Sequence, residues 1–186
     1  MIIVCVVETL AHHISFFGLS SNYGIYNCWV IGSVILYYFI FNRLLHPKNW
    51  QRRLYLLLAG LTCLFMLFEF FVISWGKYLM HTVTVISIQY VLLSCLLIAQ
   101  LIMDDVHPVR LSSHPYFWFA AGLLIFSAGL AILIGLHPYI RDNNLLIFGK
   151  PIHRVVGPIL NVVLYSFYTI AIFLCSRSKQ MSPASS

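Results

Sequence analysis

The chain has 186 residues, of which 61% are hydrophobic and 9% are charged, and its formal net charge is +6. Its mean hydropathy of +0.90 lies far from that of soluble domains, in which about a quarter of the residues are charged. The composition excludes a soluble globular domain and indicates an integral membrane protein in contact with the lipid bilayer. The basic residues suit loops and lipid headgroups, and we do not expect nucleic-acid binding.

Six apolar segments follow one another along the chain and predict membrane helices. The first, from Ile2 to about Phe17, is short for a span, and the others cover approximately 25–45, 54–75, 79–103, 115–136 and 155–175. They predict an all-α fold, a polytopic transmembrane helical bundle over residues 1–176. The Ser-rich residues 177–186 are predicted to form a disordered cytoplasmic tail.

The basic loop at 43–53 predicts the orientation of the chain, because it contains Arg and Lys and no acid. If this loop is cytoplasmic, six spans place both termini on the cytoplasmic side of the cell membrane. The cytoplasmic side then holds Arg43, Lys48, Arg52, Arg53, Arg110, Arg177 and Lys179, and the outer side holds Lys77, Arg141, Lys150 and Arg154. The tryptophans support this layout, since they fall near predicted ends of spans: Trp29, Trp50, Trp75 and Trp118.

No motif in the sequence identifies a reaction, a cofactor or a metal. The five cysteines lie in apolar segments without C-x-x-C or metal-ligand spacing, and they are expected to act as small buried hydrophobes: Cys5, Cys28, Cys63, Cys95 and Cys175. H-E-x-x-H, G-x-S-x-G and P-loop motifs are absent as well. Catalytic residues and cofactors therefore stay unknown, and no metal site is predicted.

Glu69 is the main functional candidate, because it is the one charge in the apolar run from Leu54 to Trp75. An ionisable group within a span costs about 2.5–3.5 kcal/mol on insertion scales, so it should face other helices or a wet cavity. It could carry a proton, pair with His81 or Arg154, or bind a metal. A structural pairing is the alternative to a site.

Other polar residues fall within or at the ends of the spans. Together with Glu69, the candidate residues lining a cavity are Glu8, His12, Asn27, His81, Gln89, Arg154, Asn161 and Tyr165. Glu8 and His12 share a helix face, and so do Arg154, Asn161 and Tyr165. The alternative is that Asn, Gln and Tyr are hydrogen-bonding contacts between helices and that histidines at span ends are interfacial loop residues.

Two further features concern the outer side and the fifth span. Five of the eight histidines fall on the predicted outer side: His12, His13, His81, His137 and His153. Small residues in the fifth span predict close packing against another helix, namely Gly122, Ser127, Ala128 and Gly129. The segment 137–154 is predicted to be the longest loop.

The last two spans resemble a known family. The strings HPYFWFAAGLLIFSAG, from His114 to Gly129, and ILNVVLYSFYTIAIFLC, from Ile159 to Cys175, resemble an uncharacterised bacterial family of roughly seven-helix membrane proteins. The resemblance extends to Glu8–Ser15 and to the pair Tyr26–Asn27. It implies that Glu8, Asn27, Asn161 and Tyr165 are interior polar positions. It also implies that this chain lacks a first helix and a basic loop. No activity can be inferred from the resemblance.

The sequence favours a small-ligand binder or sensor with an outward-facing polar cavity, which passes its signal to a protein partner or a second copy. In this hypothesis Glu69, His81, Arg154 and Asn161 line the cavity. A membrane enzyme or metal protein using Glu69 with His12 and His81 is the first alternative. A small-solute or proton-coupled transporter is the second.

Overall fold

The computed structural model describes residues 23–45, 49–72, 79–103, 111–147 and 149–180, and the side chains at 49–52 and 178–180 are outside this description. The helices in these ranges are α1 (Tyr23–Leu44), α2 (Asn49–Val72), α3 (Met80–Met103), α4 (Pro115–Gly135), α5 (His137–Asp142) and α6 (Ile152–Gln180). A 3₁₀ turn covers Leu111–Ser113, and two short strands are β1 (Leu146–Ile147) and β2 (Lys150–Pro151). The predicted all-α fold is confirmed.

Five of the described helices, α1 to α4 and α6, are long and apolar enough to cross a membrane. They correspond to the second to sixth predicted spans, and the first, from Ile2 to Phe17, lies outside the described residues. Many large apolar side chains on these helices face outward; Phe71 is 78% exposed and Leu57 is 70% exposed. Such surfaces require lipid as their solvent, so the chain is a multi-pass membrane protein.

The helix ends agree with local chemistry. Pro115 is at the start of α4, where its missing N–H costs nothing because the first helical N–H groups have no partner within the helix. Arg43 lies in the last turn of α1, where a positive charge is favourable, and its guanidinium stands 5.4 Å from the centre of the Phe39 ring.

The chain divides into two compact units, residues 1–86 and 87–186, with the division inside α3. In the first unit, polar contacts join α1 and α2. The hydroxyl of Tyr55 donates to the carbonyl of Tyr38 at 2.5 Å, and the Tyr38 and Thr62 hydroxyls are 3.4 Å apart. Phe41 is fully buried in the same unit.

In the second unit, α4 packs closely against α6. A Cβ added to Gly122 would lie 2.6 Å from the Cβ of Phe167, and one added to Gly129 would lie 2.6 Å from a methyl carbon of Leu160. The rings of Phe119 and Tyr168 stack with centroids 5.2 Å apart. The predicted packing role of Gly122 and Gly129 is confirmed.

The described residues between α4 and α6 contain secondary structure, although the sequence predicts this segment as a loop. It contains α5 and an antiparallel pair of strands in which Leu146 faces Pro151 and Ile147 faces Lys150. Gly149 has φ of 73°, a conformation that glycine adopts without strain. Helix α6 runs to Gln180 and so extends past residue 177, where the sequence predicts the disordered tail to begin; residues 181–186 lie outside the described ranges.

Candidate functional site

Glu69 is buried and binds the backbone at the start of α3. It lies in the last turn of α2, three residues or roughly 5 Å of helix before Val72. Its side chain is 1% exposed. One carboxylate oxygen accepts the His81 N–H at 2.9 Å, and the other accepts the Thr82 N–H at 2.8 Å.

This arrangement satisfies backbone N–H groups that a helix leaves unpaired at its N-terminus. The first backbone N–H groups of a helix have no intrahelical acceptor, and at the start of α3 the N–H of Val83 is already paired, with the carbonyl of Leu79 at 3.0 Å. Glu69 therefore supplies acceptors to the two preceding N–H groups. Its negative charge also lies at the positive end of the helix dipole, a favourable position.

Asn27 contributes to the same place from α1. It is fully buried, and its side-chain oxygen accepts the N–H of Leu79 at 3.3 Å. Together Asn27 and Glu69 connect α1 and α2 to the beginning of α3. We call this group, formed by Asn27, Glu69, Leu79, His81 and Thr82, the α3 start.

The hydroxyl of Thr82 is the chemically unusual group of the α3 start. Thr82 is fully buried, and within the described ranges its hydroxyl has no hydrogen-bond partner. Thr82 is not among the candidate residues that the sequence pattern indicates. Its position a few residues into a predicted span was the available signal, but the burial of its hydroxyl depends on the neighbouring helices.

Three further candidates belong to the first unit: His81, Glu8 and His12. His81 takes part in the α3 start through its backbone N–H, while its side chain is exposed. Glu8 and His12 lie outside the described residues. Within the described ranges, no group of three or more His, Cys, Asp or Glu side chains could hold a metal ion.

The other four candidates belong to the second unit and are not part of the α3 start. Gln89 is buried on α3, at 2% exposure. Arg154 is exposed in the first turns of α6, and Asn161 and Tyr165 are half-buried further along the same helix. The cavity predicted from Glu69, His81, Arg154 and Asn161 therefore draws on residues of both units and stays a prediction.

Comparisons with protein-family models, with curated proteins and with solved structures found no match for this chain. The resemblance to a bacterial seven-helix family therefore stays a prediction. The function has to be argued from the α3 start and from the membrane fold.

Proposed function

We propose that this multi-pass protein is a binding or sensing protein of the bacterial cytoplasmic membrane, with a small polar ligand bound at the α3 start. The observation that carries the proposal is the buried Thr82 hydroxyl, which has no partner within the described ranges. Leaving a buried hydroxyl unpaired costs about 1–3 kcal/mol, so a site of this kind favours a guest that can form hydrogen bonds.

The chemistry of the α3 start favours a ligand with N–H or O–H donors. A carboxylate offers about four acceptor positions, and Glu69 uses one on each oxygen for the N–H groups of His81 and Thr82. The remaining positions can accept donors from a ligand. The Thr82 hydroxyl can also accept or donate a hydrogen bond, so a small amine, amide or hydroxyl compound fits this set.

The connection between helices supplies a route for a signal. Glu69 belongs to α2 and its partners to α3, while Asn27 belongs to α1. A ligand that draws hydrogen bonds from Glu69 changes the attachment of α3 to α2. The described parts consist mainly of membrane helices, so we propose that the change passes to a protein partner or to a second copy of the chain.

The predicted orientation places the α3 start on the outer side of the membrane. With the basic loop at 43–53 in the cytoplasm, both termini are cytoplasmic, and α2 ends and α3 begins at the outer side. The α3 start would then open to solutes outside the cell. The exposed imidazole of His81 would lie next to the entrance.

The test compares Thr82→Val with Thr84→Val in protein reconstituted into nanodiscs. Valine has nearly the shape of threonine, and Thr84 is a matched control because its hydroxyl already donates to the carbonyl of Met80 at 3.0 Å. Thermal unfolding is measured with and without methylammonium, guanidinium and acetamide as probes. We expect at least one probe to raise the Tm of wild type and of Thr84→Val, and to leave the Tm of Thr82→Val unchanged.

The same variants test the structural alternative. Without any probe, Thr82→Val should unfold at or above the wild-type temperature, because it removes an unpaired buried hydroxyl. If every probe leaves wild type unchanged, or shifts Thr82→Val as much as wild type, the proposed ligand site is wrong.

A further inference from the structure

We propose that His137 and His153 form a binding site for a late first-row divalent cation such as Cu²⁺ or Zn²⁺. Their ring centroids are 5.9 Å apart, with the ring planes inclined at 51°. Both residues belong to the second unit, so the proposal is independent of the α3 start and of its ligand. The neutral imidazole is a preferred ligand of Zn²⁺, Cu²⁺ and Ni²⁺.

The distance between the rings suits two ligands on one metal. A histidine nitrogen binds Zn²⁺ at about 2.0–2.1 Å, and a near-tetrahedral angle between two such ligands places the ring centres roughly 5–6 Å apart. The observed separation of 5.9 Å falls in this range. Side-chain rotation that brings the ring centres to about 5 Å would direct one nitrogen of each ring to a common ion.

The backbone holds the two histidines in place from both sides. His137 opens α5, which is attached to the end of α4 by the bond from the Ile140 N–H to the Leu136 carbonyl at 2.9 Å. The β1–β2 pair then turns the chain back, and His153 follows in the first turn of α6. Because the fold already holds the two rings close together, ion binding costs little conformational entropy.

The surroundings determine which ion can bind and what completes its coordination. Arg141, Lys150 and Arg154 make this segment basic, and Asp142 is paired with Arg141 at 3.3 Å. Such a setting disfavours hard cations that rely on charge alone, and it favours ions held by coordinate bonds to imidazole. Since no third His, Cys, Asp or Glu of the described part joins the pair, water or a small anion fills the other positions.

The rings are accessible to an ion. His153 is exposed and His137 is half-buried, so replacement of either should leave the fold intact. Surface substitutions of this kind usually change stability little. The variants His137→Gln and His153→Gln are therefore suitable for a binding test.

The experiment titrates the whole reconstituted protein with Cu²⁺ and records nitrogen coupling by electron paramagnetic resonance. We expect a micromolar site with two nitrogen ligands in wild type, and at least about tenfold weaker binding in each single variant. The double variant loses both imidazole ligands and should show no site with nitrogen coupling. His107→Gln, in the segment between the predicted spans 79–103 and 115–136, is the control and should bind as wild type.

A second measurement separates binding from folding. Zn²⁺ should raise the Tm of wild type and of His107→Gln and should leave both single variants unchanged, because a ligand stabilises the state that binds it. The metal-free variants should unfold at the wild-type temperature. Wild-type affinity in either single variant, or binding only at millimolar Cu²⁺, would overturn the proposal.

Discussion

Glu69→Ala is expected to lower the free energy of unfolding by about 2–6 kcal/mol, at roughly 1–3 kcal/mol for each of the two buried N–H groups left unpaired. The substitution leaves the N–H groups of His81 and Thr82 without the acceptors that now lie at 2.9 and 2.8 Å. It also removes the negative charge from the positive end of the α3 dipole. Unfolding in bicelles or mixed micelles, followed by helix content, measures the loss.

Two control variants show whether the effect comes from the hydrogen bonds. Glu69→Gln keeps one oxygen that can accept an N–H, so its loss should be about half that of Glu69→Ala. Asp142→Asn removes an exposed ion pair at 3.3 Å and should cost less than about 0.5 kcal/mol. A Glu69→Ala protein as stable as Asp142→Asn would show that the carboxylate does not hold α3.

Gly122→Ala should destabilise the α4–α6 packing by about 2–3 kcal/mol, because the new Cβ would lie 2.6 Å from the Cβ of Phe167. That atom is attached directly to the α6 backbone, so relief requires the two helices to separate. Gly129→Ala should cost about 1 kcal/mol or less, since the atoms in its way are the terminal methyl carbons of Leu160, which can rotate. Unfolding of the two variants under the same conditions compares these costs.

The matched controls are Gly60→Ala on α2 and Gly32→Ala on α1. Nothing lies within 4 Å of a Cβ added at either position. Alanine has the higher helix propensity, so both controls should be as stable as wild type or up to about 1 kcal/mol more stable. Gly129→Ala costing more than Gly122→Ala would contradict the proposed difference between a backbone contact and a side-chain contact.

The membrane helices could be predicted from the sequence because the signal is local. An apolar run of about twenty residues must form a helix in lipid, since every backbone group needs a partner there. For this reason the predicted spans 79–103 and 115–136 agree closely with α3 and α4. Helix α2 begins at Asn49 and so includes part of the basic segment that the sequence assigns to the loop.

The partners of the polar groups could not be predicted, because they depend on which helix end lies beside which side chain. The sequence identifies Glu69 as a buried acid, and its burial is found. Its pattern indicates a proton carrier, a partner for His81 or Arg154, or a metal ligand. Its observed partners are backbone N–H groups, which every residue except proline carries. Thr82 was missed for the same reason, since the sequence around it gives no indication that its hydroxyl is buried.

The proximity of His137 and His153 could not be predicted from the sequence either. Both histidines could be assigned to the predicted outer side from the topology, because they fall within the predicted loop 137–154. Their approach to 5.9 Å depends on α5 and the β1–β2 pair, which are too short to give a hydrophobic pattern.

Amide hydrogen exchange at His81 and Thr82 tests most directly the claim that Glu69 organises the α3 start. These N–H groups precede the first described backbone bond of α3, from Val83 to Leu79, so their protection should depend on the Glu69 carboxylate. The account predicts slow exchange of both amides in wild type in nanodiscs and fast exchange in Glu69→Ala, with Leu93 in the middle of α3 equally protected in both. Fast exchange of His81 and Thr82 in wild type, or unchanged slow exchange in Glu69→Ala, would contradict it.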